Sequence, residues 1–168
     1  MQKLVITRTT DIERDKIFSI SVNIEQFSKL MPKYFKSLQI TNKINSEYFV
    51  DEEISFFTKS IWIQTKHIVK NPDIHEIHIL SGPLKNSSFI ETYQSLIKGT
   101  KVTIIVTLKF NGIFKFLYIF KPLIENRINK IMDEFISACE QKIKQDQIIK
   151  LALVNYNANC INTNCQIN

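Results

Sequence analysis

The chain has 168 residues, 44% hydrophobic and 23% charged, the proportions of a single globular domain able to bury a core without disulfides or structural metal. Its three cysteines, Cys139, Cys160 and Cys165, are too few and too unevenly placed for a disulfide framework, so a reducing, cytoplasmic setting is expected. Twenty-two Lys and Arg against sixteen Asp and Glu leave a net charge of +6, but only Arg8, Arg14 and Arg127 supply guanidinium forks and the lysines are scattered, which argues for a solvated basic surface and against nucleic-acid recognition.

Residues 3–9 read as a first strand rich in β-branched residues. From Asp11, a candidate N-cap, Ile12, Lys16 and Ile17/Phe18 follow the helical repeat to about Val22. Asn23 restarts a short helix over residues 24–30, which Pro32 ends. Between Lys33 and Phe110 turn chemistry recurs at Asn42–Asn45, Asn71-Pro72-Asp73, Ser81-Gly82-Pro83 and Lys98-Gly99-Thr100. It marks about six strands, near 34–43, 47–56, 60–70, 74–81, 87–97 and 100–110. In the last of these Val102, Ile104, Val106, Leu108 and Phe110 share one face and Lys101, Thr103, Thr107 and Lys109 the other, so one side of the sheet must be covered. The cover is residues 113–153, where Leu117, Phe120, Ile124, Ile128, Ile131, Phe135 and Cys139 form one helical stripe, with Pro122 either opening the regular helix or kinking it. Residues 154–168, rich in asparagine, read as a disordered tail.

Three groups of residues invite chemistry. His75 and His78 are three apart on a strand, point to opposite faces and cannot chelate one ion together. His67 belongs to the apolar phase Ile61, Ile63, Thr65, His67, Val69 and is expected either to face the interior or to bond a strand neighbour. Asp51, Glu52 and Glu53 are consecutive, which puts the outer two on one face as a solvated strand end or as a carboxylate pair. Cys160 and Cys165 supply two zinc-type ligands where four are needed. No metal, cofactor, phosphate-binding loop or nucleophile triad is expected. The stretch Ile113–Lys121 has no clean polar face. It is either buried all round, or its aromatics Phe114, Phe116 and Tyr118 line a mouth flanked by Lys29, Lys33, Lys36, Lys115 and Lys121 that makes transient contact with an anionic membrane.

The order strand, two short helices, six antiparallel strands and long helix resembles that of the START-like (SRPBCC) helix-grip group, which includes the polyketide cyclase/dehydrase-like and coenzyme Q-binding branches. NIEQFSKLMPKYFKSLQI (Asn23–Ile40) is similar to the group's passage from second helix through proline into a strand. ILSGPLKNSSFIETYQSL (Ile79–Leu96) resembles its Gly-Pro turn and aromatic-bearing strand, GTKVTIIVTLKF (Gly99–Phe110) its last strand, and KPLIENRINKIMDEFISACEQKI (Lys121–Ile143) its terminal helix. The resemblance covers about residues 3–145. It implies an α+β helix-grip fold, a curved sheet of about seven strands round a long C-terminal helix, with an apolar cavity between them. Inward phases then nominate Ile63, His67, Tyr93, Ile104, Val106 and Leu108 from the sheet, and Phe116, Tyr118, Ile124, Ile128 and Phe135 from the helical cover, as ligand-binding. The expected function is binding or transport of a lipid, isoprenoid or polycyclic molecule. The alternatives are a cyclase/dehydrase-type enzyme and a ribosome-association-type interaction protein.

Overall fold

The computed structural model describes residues 2–56 and 59–162, with side chains for residues 3–55 and 59–153. β1 (Gln2–Thr10) buries Ile6 and Thr10 and turns Val5 to solvent, the period of two expected of a strand with one covered face. α1 (Arg14–Ser21) buries Ile17, Phe18 and Ser21. A 3-10 turn at Ile24–Gln26 runs into α2 (Phe27–Leu30), just ahead of Pro32. Then follow β2 (Phe35–Ile44), β3 (Glu47–Phe56), β4 (Lys59–Lys70), β5 (Ile74–Ile79), β6 (Ser88–Ser95) and β7 (Thr100–Leu108). They form one curved antiparallel sheet of seven strands in the order β1-β7-β6-β5-β4-β3-β2. At the β6–β7 turn Gly99 has φ +79°, and a Cβ there would lie 1.9 Å from the Thr10 carbonyl oxygen. Only glycine closes the hairpin against the end of β1.

α3 (Lys121–Asn162) packs across the concave face, with Pro122 in its first turn. It buries Ile124, Met132, Phe135, Ile136 and Cys139. Ile128 and Ile131 are partly buried against the same core. Arg8 of β1 holds the helix, donating from Nε to Asp133 Oδ1 (2.6 Å) and from Nη2 to Asn129 Oδ1 (3.0 Å). Thr10 Oγ1 donates to Glu140 Oε1 at 3.0 Å.

The expectations for residues 113–121 need correction. Gly112–Phe120 is a 3-10 segment and not the first turns of the long helix, and of its residues only Leu117 is buried. Three residues per turn break the 100° phase carried back from α3, so Phe120 leaves the stripe and is exposed. The same finding rules out burial all round, since Ile113 and Ile119 are 81% and 75% exposed. The α3 backbone is helical through Asn162. Residues 163–168, and the side chains of Cys160 and Cys165, lie outside the described residues.

Candidate functional site

Two buried clusters fill the space between sheet and helix. One gathers Ile6, Ile17, Phe18, Tyr93, Val102, Met132, Phe135 and Cys139, among others. The second gathers Ile63, Ile79, Leu84, Val106, Leu108, Phe110, Leu117 and Ile124. A cavity of about 230 Å³ draws its walls from both, with Phe27, Met31, Tyr34, Phe35 and Leu38 added from the α2–β2 side. Its surface is mostly apolar, as small-molecule sites are.

The polar groups in that wall, Glu52, Thr65, His67 and Glu91, join a continuous array with His75 and Tyr93 behind them. The inward phases of four adjacent strands place Glu52 on β3, Thr65 and His67 on β4, His75 on β5, and Glu91 and Tyr93 on β6. The register pairs Val50 with Thr65 and Val69 with His75, so Glu52 is diagonal to Thr65 and His67 is diagonal to His75. His75 lies directly opposite Glu91. Side chains on one sheet face reach their direct and diagonal cross-strand neighbours, and Glu52, opposite Ile63, reaches one inward position past its Thr65 diagonal to His67, so that a chain of hydrogen bonds results. Glu52 Oε1 meets His67 Nε2 at 2.9 Å, His67 Nδ1 meets His75 Nε2 at 3.0 Å, and His75 Nδ1 meets Glu91 Oε2 at 3.2 Å. Thr65 Oγ1 donates to Glu52 Oε1 and lies 3.1 Å from His67 Nε2. Tyr93 Oη donates to Glu91 Oε2 at 2.8 Å. Glu52, His67 and His75 are 3%, 5% and 0% exposed. Burial, and then the Glu91 charge, push the Tyr93 phenol well above its ordinary range, which keeps it a donor.

The three bridges set a proton count for this array. Each of the three bridges joins atoms that accept hydrogen bonds when bare, so each needs one proton. With one proton in each bridge and none elsewhere on these groups, two carboxylates and two imidazoles carry one net negative charge, wherever along the chain it resides. Among the described residues, no group of three or more His, Cys, Asp or Glu is placed to hold a metal ion.

Of the residues nominated from sequence, Ile63, His67, Ile104, Leu108, Ile124, Ile128 and Phe135 line the cavity. Tyr93 and Val106 are buried outside its lining. Tyr118 stands apart from it too, its Oη accepting from the Phe110 amide at 3.1 Å, and Phe116 is exposed. Of the lysines expected round a mouth, Lys33 pairs with Glu134 at 2.8 Å, Lys121 with Glu125 at 3.6 Å, and Lys36 Nζ donates to the Pro32 carbonyl. The carboxylate of interest in Asp51–Glu53 is the middle one, Glu52, since the outer two face away from the core. His75 and Glu91 are the other members that sequence reading missed. The available signal was a polar residue within an otherwise apolar strand phase, as in His75-Ile77-Ile79 and Phe89-Glu91-Tyr93. His78, on the opposite face, instead meets Glu76 at 3.1 Å. A second, open groove of about 930 Å³ lies outside, between α1, α2 and the distal part of α3, with Lys16, Lys29, Lys142 and Lys150 among its lining residues.

No protein-family model and no curated protein matches this sequence. Solved structures do match in shape. TTHA0849 from Thermus thermophilus aligns with a TM-score of 0.73 at 9% identity, over 86% of this chain and 99% of that one. The Zhui aromatase/cyclase of Streptomyces sp. R1128 aligns at 0.73 and 8% identity, over 84% and 95%. Norcoclaurine synthase from Thalictrum flavum, solved in complex with dopamine and hydroxybenzaldehyde, aligns at 0.63 and 13% identity, over 86% and 87%. At these identities the likeness is one of fold, and the fold of this chain is the helix grip of the START-like (SRPBCC) proteins.

Proposed function

We propose that the protein binds a small, neutral, largely apolar molecule in the cavity between sheet and α3, with the Glu52–His67 wall orienting a single polar group. The observation that carries this reading is a cavity of about 230 Å³ with an apolar surround and one buried hydrogen-bonding wall. The volume lies below the ~300–1,000 Å³ usual for larger ligands, which favours one or two fused rings or a short isoprenoid over a long-chain lipid. The net negative charge of the array disfavours carboxylate-headed ligands and favours a hydroxyl, amine or carbonyl group. The complex of norcoclaurine synthase with two small aromatic molecules supports the same size class.

The test compares naphthalene, 2-naphthol and 2-naphthoate by calorimetry and ligand-observed NMR, alongside native mass spectrometry of the purified protein. Saturable binding in the order 2-naphthol, naphthalene, 2-naphthoate is expected. Ile128→Trp, which fills the cavity, should abolish it while the chain stays folded, since overpacking costs about 1–3 kcal/mol. Absence of binding by all three, with no co-purified molecule, would overturn the reading.

A further inference from the structure

The two cavity-facing carboxylates, Glu52 and Glu91, are joined through His67 and His75, and His75 itself has no place in the cavity wall. A binding wall needs polar groups that face the ligand. It does not need a fully buried imidazole behind them, whose burial is costly unless every ring nitrogen is partnered. Both nitrogens of His75 are partnered, one by His67 Nδ1 and the other by Glu91 Oε2, and the Tyr93 hydroxyl donates to that same carboxylate oxygen.

We propose that the Glu52–His67–His75–Glu91 array is a proton relay that makes the cavity an acid–base site, moving a proton between carbon and oxygen of a neutral ring ketone. This rests on the binding reading above and assigns the bound molecule a reaction. In the resting array both carboxylates are ionised, His67 carries its proton on Nε2, and His75 carries protons on both nitrogens. Glu52 takes the proton from the carbon beside the carbonyl, and the C–H electron pair becomes the C=C bond of the enolate. His67 gives its Nε2 proton to the enolate oxygen and receives on Nδ1 the proton that His75 held on Nε2. The ligand has lost a proton from carbon and gained one on oxygen. Glu52 is now a neutral acid, both imidazoles are neutral, and the array still holds one negative charge, on Glu91. When the Glu52 acid presents its proton to the bare Nε2 of His67, two proton shifts back along the chain restore the resting state. No metal, oxidant or cofactor enters the balance. Glu52 and His67 touch the ligand, while His75, Glu91 and Tyr93 are positioning residues that supply and hold the second proton.

The experiment uses the full chain with 2-tetralone in D2O, NMR reading loss of the protons beside the carbonyl. The protein should accelerate exchange, and Glu52→Gln, close in shape but unable to take the proton, should reduce that acceleration by about 10²–10⁴-fold, the range of general acid–base catalysis. Binding of naphthalene, which has no polar group for the wall to orient, should persist in that variant and report that the cavity is intact. His75→Gln leaves both ligand-facing groups in place. It should lower the rate at saturating ketone by about tenfold or more with the dissociation constant unchanged, a split that mere loosening of the fold would not give. Ile128→Trp controls for exchange at surface lysines. Binding without acceleration, or acceleration that survives in Glu52→Gln and His75→Gln, would overturn the relay and leave the binding reading standing. Failure of 2-tetralone, naphthalene and 2-naphthol to bind overturns both.

Discussion

Cys139 has no exposed surface, and that burial, with the charges of Glu91 and Glu140 behind it, pushes its thiol up to about 12 from an ordinary 9.0. Tyr93, in edge contact with Phe18 at 5.5 Å, is shifted in the same direction by burial and by Glu91. Both groups stay protonated in the folded chain at pH values where the unfolded chain has released those protons. The unfolded state then binds fewer protons, so stability falls as pH rises from about 9 toward 12. A fully linked group contributes about 1.4 kcal/mol per pH unit. Urea unfolding at pH 8, 9 and 10 should show this loss in the native sequence and a shallower one in Cys139→Ala. Parallel curves would mean that Cys139 opens to water before the chain unfolds. The buried histidines and glutamates lie on one face because strand residues two apart share a side, and each pair then meets its neighbour across one interstrand spacing.

The 3-10 segment Gly112–Phe120, together with the start of α3, exposes Ile113, Phe116, Ile119, Phe120 and Leu123 within eleven residues. An apolar patch of this kind, with Lys115 and Lys121 in the same stretch, fits contact with an anionic bilayer surface, where each nearby Lys is worth about 1 kcal/mol. Co-sedimentation with phosphatidylserine-containing vesicles should be measurable at 0.05 M salt. It should weaken sharply at 1 M, where the Debye length has shrunk to about 3 Å. Phe116→Ser with Ile119→Ser should lose vesicle binding without lowering the melting temperature, because neither residue is buried. Binding that is equal for neutral and anionic vesicles, or absent for both, would remove the membrane role. No helix among the described residues is long and apolar enough to cross a bilayer, so contact of this kind would stay at the surface.

At the scale of the whole molecule the sheet and the first part of α3 form the body, while every α3 residue from Lys144 to Leu153 is exposed. A chain ending at Gln147 removes Ile148, Ile149, Leu151 and Leu153 from solvent-facing positions. It should melt within about 2 °C of the full chain, since surface changes stay within about 0.5 kcal/mol. A larger drop would mean that the end of α3 supports the body. The boundaries of β3, β4 and β7, the parity of β4 and β7, and the stripe from Ile124 to Cys139 were legible in the sequence, because alternation and helical period are local and each residue's own chemistry reveals its side. Pro32, Gly82-Pro83 and Gly99 marked turns for the same reason. The 3-10 geometry of Gly112–Phe120 was not legible, since its apolar residues satisfy several periods at once and only packing on Leu117 selects one. Nor was the array: sequence parity can turn Glu52, His67, His75 and Glu91 inward, but which meets which depends on the register of β3, β4, β5 and β6. Register is set by interstrand hydrogen bonds and turn geometry between segments distant along the chain. The sequence by itself therefore determined an α+β chain with one covered sheet face and a helix to cover it. The tertiary structure alone decided that four strands align two carboxylates and two imidazoles into one continuous hydrogen-bonded array, because a hydrogen bond needs its partners within about 3 Å and that precision arises only from packed strands.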